Sequence, residues 1–143
     1  MRLPAHLFPA GRIYHCEHLT PDLVWHEPWF AHPNGFRGVG ALMVASLAPE
    51  TEAPRYAAAC GATAESVGDG WRVRLGEAVV EISPGPIARF TGLALHFTDL
   101  AAIEARADAM PNARWERLSP EEAYLELPDF ELRLRCRTVR CDP

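Results

Sequence analysis

The chain has 143 residues and a formal net charge of −5 at pH 7, which suits one domain with its own core and argues against nucleic-acid binding. All fourteen basic residues are arginines, and they are spread sparsely. No apolar stretch has the length of a signal peptide or membrane span, and the four cysteines show no C-x-x-C spacing. We therefore expect a cytoplasmic protein with reduced thiols and with no nucleic-acid or membrane partner.

The first 36 residues are expected to form an N-terminal extension. Four of the six histidines lie in YHCEHLTPDLVWHEPWFAHPNG (14–35), so this segment is rich in residue types that coordinate metal ions. Residues 12–18 are predicted to form a short strand, and neighbouring side chains of a strand point to opposite faces, so they do not converge on one ion. We favour a docking segment that packs onto the domain through Trp25 and Trp29. A metal site formed by folding back is the weaker alternative, with ligands chosen from His18, His26 and His32.

An internal repeat begins just after this segment. GVGALMVASL (38–47) matches FTGLALHFTDL (90–100) when Gly40 is aligned with Gly92, an offset of 52 residues (92 − 40). At the same offset and without a gap, WRVRLGEAVVEIS (71–83) aligns with AYLELPDFELRLR (123–135). In both halves two apolar runs flank a turn-forming pair, so the pattern indicates a duplicated unit.

Each unit is predicted to contain a strand, a helix and three further strands. Pro49 suits the first turn of the first helix, and Pro54 is expected to leave that helix short or kinked. The second helix is expected to be capped by Thr98 or Asp99 and to stop before Pro111. The predicted strands are 38–46, 62–66, 71–75 and 78–83 in the first unit, and 90–97, 113–118, 122–127 and 130–136 in the second. The fold class is therefore α+β, a tandem βαβββ repeat over residues 37–136, with units of about 37–86 and 89–136 and a C-terminal tail at 137–143.

This paired repeat resembles the vicinal oxygen chelate superfamily, which includes glyoxalase I, extradiol dioxygenases, bleomycin-resistance proteins and methylmalonyl-CoA epimerase. The segment CEHLTPDLVWHEPWFAHPNG is also similar to the linker of bacterial glyoxalase-like domain proteins. In longer relatives we would expect another module before this segment. The resemblance implies two curved sheets that form a cleft, with metal ligands on the opening and last strands of each unit.

The resemblance also indicates that the usual metal site is lost. It places Gly40 and Gly92 on the opening strands, and Glu81 and Arg133 on the last strands. Only Glu81 is a ligand-type side chain, whereas a catalytic divalent ion needs about three protein ligands. We expect no cofactor. A divalent metal held by Glu81, His96 and His18 is the disfavoured alternative.

Strand alternation around these positions predicts which side chains share the cleft. We expect Glu81 and Arg133 to form an ion pair where the metal would be, and His96 to be a general base if the cleft is catalytic. Arg133 and Arg135 could clamp a carboxylate or phosphate. The structural alternatives are a hydrogen-bonded core histidine and the outward charges of an edge strand. The candidate catalytic residues are His96 and Glu81; the candidate ligand-binding residues are Arg133, Arg135, Leu42, Val44, Ala94, Gly40 and Gly92.

Three functions compete at this point. The favoured one is a glyoxalase-like domain whose metal-free cleft, with apolar walls and a few polar groups, binds a small organic ligand. The second is a lyase, isomerase or dioxygenase with a rearranged site. The third is an assembly module without chemistry, and a homodimer is open in every case.

Overall fold

The computed structural model describes residues 2–139 and divides into two compact units. Unit 1 comprises the described residues of Met1–Glu17 together with Ala41–Thr91, and unit 2 comprises His18–Gly40 with the described residues of Gly92–Pro143. Cys141, one of the four cysteines predicted to be reduced, lies outside the described residues. Each unit has a core of its own.

The elements follow the order βαβββ twice, which confirms the predicted α+β tandem repeat. In chain order they are β1 (Phe36–Ser46), α1 (Pro49–Cys60), β2 (Ala64–Val67), β3 (Gly70–Leu75), β4 (Ala78–Pro84), β5 (Arg89–Phe97), α2 (Ala101–Asp108), β6 (Arg114–Ser119), β7 (Glu122–Leu127) and β8 (Leu132–Thr138).

Unit 1 arranges its strands in the order β2-β3-β4-β1, with β1 parallel to β4 and β3 antiparallel to both of its neighbours. One face of these strands packs on α1, and the buried core consists of Phe8, Val44, Ala53, Tyr56, Ala57, Val73, Val80 and Ile82. The helix α1 continues through Pro54 for twelve residues, so this proline does not shorten it. It ends at Cys60 and is capped by Gly61, whose φ of +63° suits a residue without a Cβ.

Unit 2 repeats this arrangement in the order β5-β8-β7-β6, with β5 parallel to β8. Its buried core consists of Phe97, Leu100, Ile103, Ala123 and Cys136. The Asp99 carboxylate accepts a hydrogen bond from the amide of Ala101, the first residue of α2, at 3.0 Å. Asp99 thus satisfies the first amide of α2, but the N-cap position is Leu100, which makes no side-chain hydrogen bond, so neither Thr98 nor Asp99 is the predicted cap.

The pairing registers correct the gapless alignment of the two units. Val44 pairs with Ile82 in unit 1, and Leu95 pairs with Cys136 in unit 2, all four on the core side. Val44 therefore corresponds to Leu95, an offset of 51 (95 − 44), and Ile82 to Cys136, an offset of 54 (136 − 82). The longer second hairpin contributes to the difference, because residues 128–131 connect Leu127 to Leu132 where only residues 76–77 connect Leu75 to Ala78.

The N-terminal segment forms short 3-10 turns rather than the predicted strand over residues 12–18. The turns lie at Ala5–Leu7, Pro21–Leu23 and Glu27–Phe30, and Tyr14 makes only an isolated bridge with Arg2. The prediction of a strand over residues 12–18 is wrong. A strand needs a neighbouring strand to pair with its backbone amides and carbonyls, and in this segment Tyr14 alone makes such a bridge. Neither α1 nor α2, the α-helices of the described part of the chain, is long and apolar enough to cross a membrane.

Candidate functional site

The face of each sheet that points away from its helix is called here the helix-free face. In unit 2 it carries three arginines, because Arg133, Arg135 and Arg137 alternate along β8 with the core residues Leu134 and Cys136. Their partners in register on β5 are Gly92, Ala94 and His96. Their partners on β7 are Glu126, Tyr124 and Glu122. Acidic and basic side chains thus lie opposite each other on neighbouring strands.

Arg133 and Arg137 make ion pairs on this face. The Arg133 guanidinium lies 3.8 Å from the centre of the Tyr124 ring, 3.4 Å from the Glu126 carboxylate and 3.7 Å from that of Glu116. Arg137 donates to the Glu122 carboxylate at 3.1 Å. Since these pairs are partly exposed, each contributes about 0–1 kcal/mol to stability. Their main consequence is to hold charged groups in fixed positions on the face.

His96 is held against the backbone of β1. A Cβ added to Gly40 would lie 2.2 Å from His96 Nε2, so only glycine leaves room for the imidazole at this distance. Two of the candidate site residues are therefore in contact. His96 also borders a cavity of about 280 Å³ whose other lining residues are Ser119, Glu121, Glu122, Arg137, Thr138 and Val139.

Most of this cavity was not predicted from the sequence. The domain was expected to end at residue 136, whereas β8 continues to Thr138. The alternation Arg133, Arg135, Arg137 was the signal that could have added Arg137. Glu122 could have been added as its cross-strand partner. The lining is also more polar than the expected apolar walls with a few polar groups.

Two candidate residues of β1 lie on the other side of the sheet. Val44 is fully buried in the core against α1, and Leu42 packs against the same cluster. The prediction that Leu42 and Val44 line the cleft is therefore wrong. Aligning Gly40 with Gly92 shifted the opening strand by one residue, and a shift of one residue exchanges the two faces of a strand. The structural counterpart of Gly92 is Ala41, since Ala41 pairs with Val79 as Gly92 pairs with Arg133.

The remaining small residues offer little surface to a ligand. Ala94 is 2% exposed, and Gly92 is also buried. They share the strand face of His96.

Glu81 and Arg133 each have partners within their own unit. The Glu81 carboxylate lies 3.5 Å from the guanidinium of Arg72, its neighbour on β3, while Arg133 has the partners described above. The last strands of the two units are related by an offset of 54 residues, as the pairing registers show. The counterpart of Glu81 is therefore Arg135 (81 + 54 = 135) and not Arg133. Their proposed ion pair stays a prediction.

The residues that the resemblance assigned to metal positions, Gly40, Gly92, Glu81 and Arg133, do not form a donor set that fits a divalent ion. Only the Glu81 carboxylate is present there, and it faces a guanidinium. Among the described side chains of residues 2–139, which exclude that of Glu27, no three His, Cys, Asp or Glu residues are grouped closely enough to hold a metal. His18, the third residue of the disfavoured metal set, packs edge-on against Trp25, with 5.7 Å between the ring centres.

The two tryptophans of the N-terminal segment are largely exposed, at 58% for Trp25 and 65% for Trp29. The prediction that they anchor the segment by packing onto the domain is wrong. Their rings instead contact histidines close to them in the chain, His18 for Trp25 and His26 for Trp29.

The three described cysteines are free thiols. Burial raises the pKa of Cys136 to about 11, and burial also raises the pKa of Cys60. Cys136 is therefore a neutral core residue rather than a nucleophile.

Sequence comparisons do not identify a relative. No protein-family model matches the chain, and no curated protein matches it at a significant level.

Comparison of the structures does find neighbours. A halotolerant catechol dioxygenase is similar over 76% of this chain and 41% of its own, with 14% identity and a TM-score of 0.61. The 2,2',3-trihydroxybiphenyl 1,2-dioxygenase from Sphingomonas wittichii strain RW1 is similar over 73% of this chain and 41% of its own, with 18% identity and a TM-score of 0.55. The chain thus spans well under half the length of these two dioxygenases.

A third neighbour is of similar size. Methylmalonyl-CoA epimerase from Mycobacterium tuberculosis is similar over 81% of this chain and 97% of its own, with 11% identity and a TM-score of 0.57. At these identities the likeness concerns the fold alone. The neighbours are members of the vicinal oxygen chelate superfamily, and the fold of this chain is that of the superfamily.

Proposed function

We propose that this glyoxalase-like domain binds a small organic ligand without a metal ion, at the cavity beside His96. The observation that carries the proposal is the cavity itself, about 280 Å³ in volume and lined by both hydrogen-bond donors and acceptors. This volume lies near the lower limit for ligand sites, which suits a small molecule rather than a large cofactor.

The lining indicates the chemistry of the ligand. Arg137, which also pairs with Glu122, offers a cation, Glu121 and Glu122 offer acceptors, and Ser119 and Thr138 offer hydroxyl groups. A short α-hydroxy or α-keto acid matches this set, with its carboxylate near Arg137 and its hydroxyl or carbonyl oxygen near the remaining polar groups. Arg133 and Arg135 lie on the same face and add positive charge around the cavity.

A calorimetric titration tests this proposal on protein that has been treated with EDTA and purified without a histidine tag. The probes are lactate, pyruvate and their longer homologues, with the corresponding amides as neutral controls. We expect at least one acid to bind, and Arg137→Gln to weaken its binding roughly tenfold, as expected for a charge-assisted hydrogen bond.

Arg74→Gln is the matched control, because Arg74 also pairs with a glutamate on a neighbouring strand, Glu65 at 2.8 Å, but belongs to unit 1. Equal losses in Arg137→Gln and Arg74→Gln would show a general charge effect and contradict the assignment. Binding that requires added Zn²⁺ or Fe²⁺ would overturn the metal-free part.

The second candidate is an enzyme of the isomerase or lyase class with His96 as general base. It is favoured by the position of His96 at the cavity, and one structural neighbour is an epimerase. In this reaction the imidazole takes a proton from the carbon next to a carbonyl, and the proton is later returned to that carbon. In D₂O the same step replaces that hydrogen by deuterium, which proton NMR of pyruvate homologues detects. Exchange in the wild type that is lost in His96→Gln supports the enzyme; no exchange leaves only binding.

The third candidate is assembly into a homodimer through the N-terminal segment. It is favoured by the exposed rings of Trp25 and Trp29. Sedimentation of the wild type and of Trp25→Ser/Trp29→Ser tests it, and a wild-type monomer at all concentrations would exclude it.

We also propose a cytoplasmic location, supported by the free thiols of Cys16 and Cys60 on the surface.

A further inference from the structure

A second cavity lies elsewhere in unit 2, where the HPNG turn leads into β1. Its volume is about 260 Å³, and it is lined by Ala31, His32, Gly35, Phe36, Arg37 and Thr98. It shares no residue with the cavity beside His96. The two can therefore be tested separately.

The walls of this cavity are fixed by hydrogen bonds. The Gly35 amide donates to the carbonyl of His32 at 2.9 Å, which closes the turn, and the Thr98 amide donates to the Gly35 carbonyl at 2.9 Å. Gly35 has a φ of +72°, and a Cβ there would lie 2.4 Å from Thr98 Oγ1, so glycine is needed on both counts. The turn is thus held against the segment that joins β5 to α2.

The floor is a fixed aromatic ring. Phe36 packs edge-on against the core residue Phe97, with 5.8 Å between ring centres, and His32 in turn packs edge-on against Phe36 at 6.3 Å. An apolar surface next to two basic side chains is suited to an organic molecule with an anionic group.

The charge of the lining has one sign. Arg37 and His32 are the ionisable residues that border this cavity. Among the side chains that the structure describes, which do not include that of Glu27, no carboxylate is found within ion-pair distance of Arg37. The carboxylate of Asp99, which follows the lining residue Thr98, accepts the Ala101 amide at the start of α2. The guanidinium is therefore available to an external oxyanion, which it can bind through two parallel hydrogen bonds.

We propose that this cavity binds the oxyanion of a small aromatic or aliphatic acid, with Arg37 and His32 on the anionic group and Phe36 under the carbon part. A carboxylic acid and a phosphate ester share this chemistry. The site is independent of the function proposed above and involves none of the residues assigned to it.

The experiment is an amide NMR titration of the full chain with benzoate, phenyl phosphate and benzamide. These probes carry the same ring with a carboxylate, a phosphate and a neutral group. We expect saturable shifts of the Gly35, Arg37 and Thr98 amides with the two anions, and binding of benzamide that is at least roughly tenfold weaker. Tighter binding of benzoate would identify carboxylic acids as the ligand class, and tighter binding of phenyl phosphate would identify phosphate esters.

Two variants assign the charge. Arg37→Gln should weaken anion binding roughly tenfold, and His32→Gln should weaken it by a smaller factor, since a guanidinium can donate two parallel hydrogen bonds to the oxyanion and an imidazole one. Arg74→Gln in unit 1 is the control and should leave the affinity unchanged. The proposal is overturned if neither anion shifts these amides, if benzamide binds as well as benzoate, or if Arg37→Gln binds both anions like the wild type.

Discussion

The helix-free faces of the two units carry opposite arrangements of charge. In unit 1 the arginines are on β3, where Arg72 approaches the carboxylate of Glu81 on the last strand and Arg74 pairs with Glu65 on β2. In unit 2 the glutamates are on β7 (Glu122 and Glu126), and the arginines are on the last strand, β8. A cross-strand ion pair stabilises the sheet equally well whichever of the two strands carries the arginine. The two units can therefore share a fold although their acidic and basic strands are exchanged.

The difference indicates where a ligand site can develop. His96 and Arg137 of unit 2 correspond to Ala45 and Ser83 in unit 1, from the offsets 51 and 54 (96 − 51 and 137 − 54). Unit 1 thus has small side chains where unit 2 has a titratable ring and a cation. This asymmetry is the reason for placing the proposed function in unit 2.

The largest expected effect concerns the register on which this comparison depends. Ile82→Ala removes a fully buried core side chain and should lower the free energy of unfolding by about 2 to 5 kcal/mol. Met43→Ala, on the opposite face of the neighbouring strand, should cost less because Met43 is only partly buried and is not among the core residues of unit 1. Urea denaturation measures both, and equal losses would contradict the register.

The next effect compares a buried acid from each core. Burial, with the Glu52 charge nearby, raises the pKa of Tyr56 from 10.0 to about 12, and burial raises that of Cys136 from 9.0 to about 11. The neutral forms are favoured in the fold, so the stability they contribute is complete below the unfolded pKa and is lost as pH rises through the folded pKa. Between pH 9 and pH 12 the free energy of unfolding should fall by on the order of 2 kcal/mol for each group.

Tyr56→Phe and Cys136→Ala should each make this alkaline decline shallower, and the double variant should remove most of it. Denaturant titrations at a series of pH values provide the measurement. An unchanged slope in the double variant would assign the decline to other groups.

A smaller effect is expected at Gly40, which is glycine because His96 packs against it. Gly40→Ala introduces a Cβ 2.2 Å from His96 Nε2 and should cost about 1 to 3 kcal/mol through displacement of the ring. The His96 ring signals should move in NMR spectra. The double variant Gly40→Ala/His96→Ala should regain the free energy of unfolding that Gly40→Ala loses. A loss that persists in the double variant would mean that Gly40 is needed for another reason.

The smallest effect concerns the ion pairs that define the charge asymmetry. Exchanging the partners in Glu122→Arg/Arg137→Glu should change stability by less than about 1 kcal/mol, since both side chains are partly exposed. Exchanging Glu65 and Arg74 in unit 1 is the matched comparison. Thermal unfolding in low and high salt measures both, and a loss of several kcal/mol in one unit alone would show that its charges are structural.

The sequence predicted the strands well because alternating apolar residues must face a helix, as in the run Leu93, Leu95, Phe97. It predicted the opening strand face of unit 1 wrongly, since two glycines seemed to mark equivalent positions and a shift of one residue exchanges the faces. The longer turn of unit 2 was not detectable either. Glu131 adopts a φ of +49°, a conformation in which glycine would have been expected.

The candidate site was predicted in part for similar reasons. His96 and the β8 arginines were expected on one face from alternation, and the register places them there. The cavity depends on Ser119, Glu122 and Thr138, which are brought together by pairing between β7, β8 and the end of β6. Long-range pairing of this kind has no local signature in the chain.

The most direct test of the account is to map the bound acid on EDTA-treated protein by amide NMR, using the tightest binder from the calorimetric panel. We predict saturable shifts at His96, Ser119, Glu122 and Arg137, and none at their unit 1 counterparts Ala45 and Ser83. Shifts centred on Glu81 and Met43, or shifts that occur only after a divalent metal is added, would contradict it.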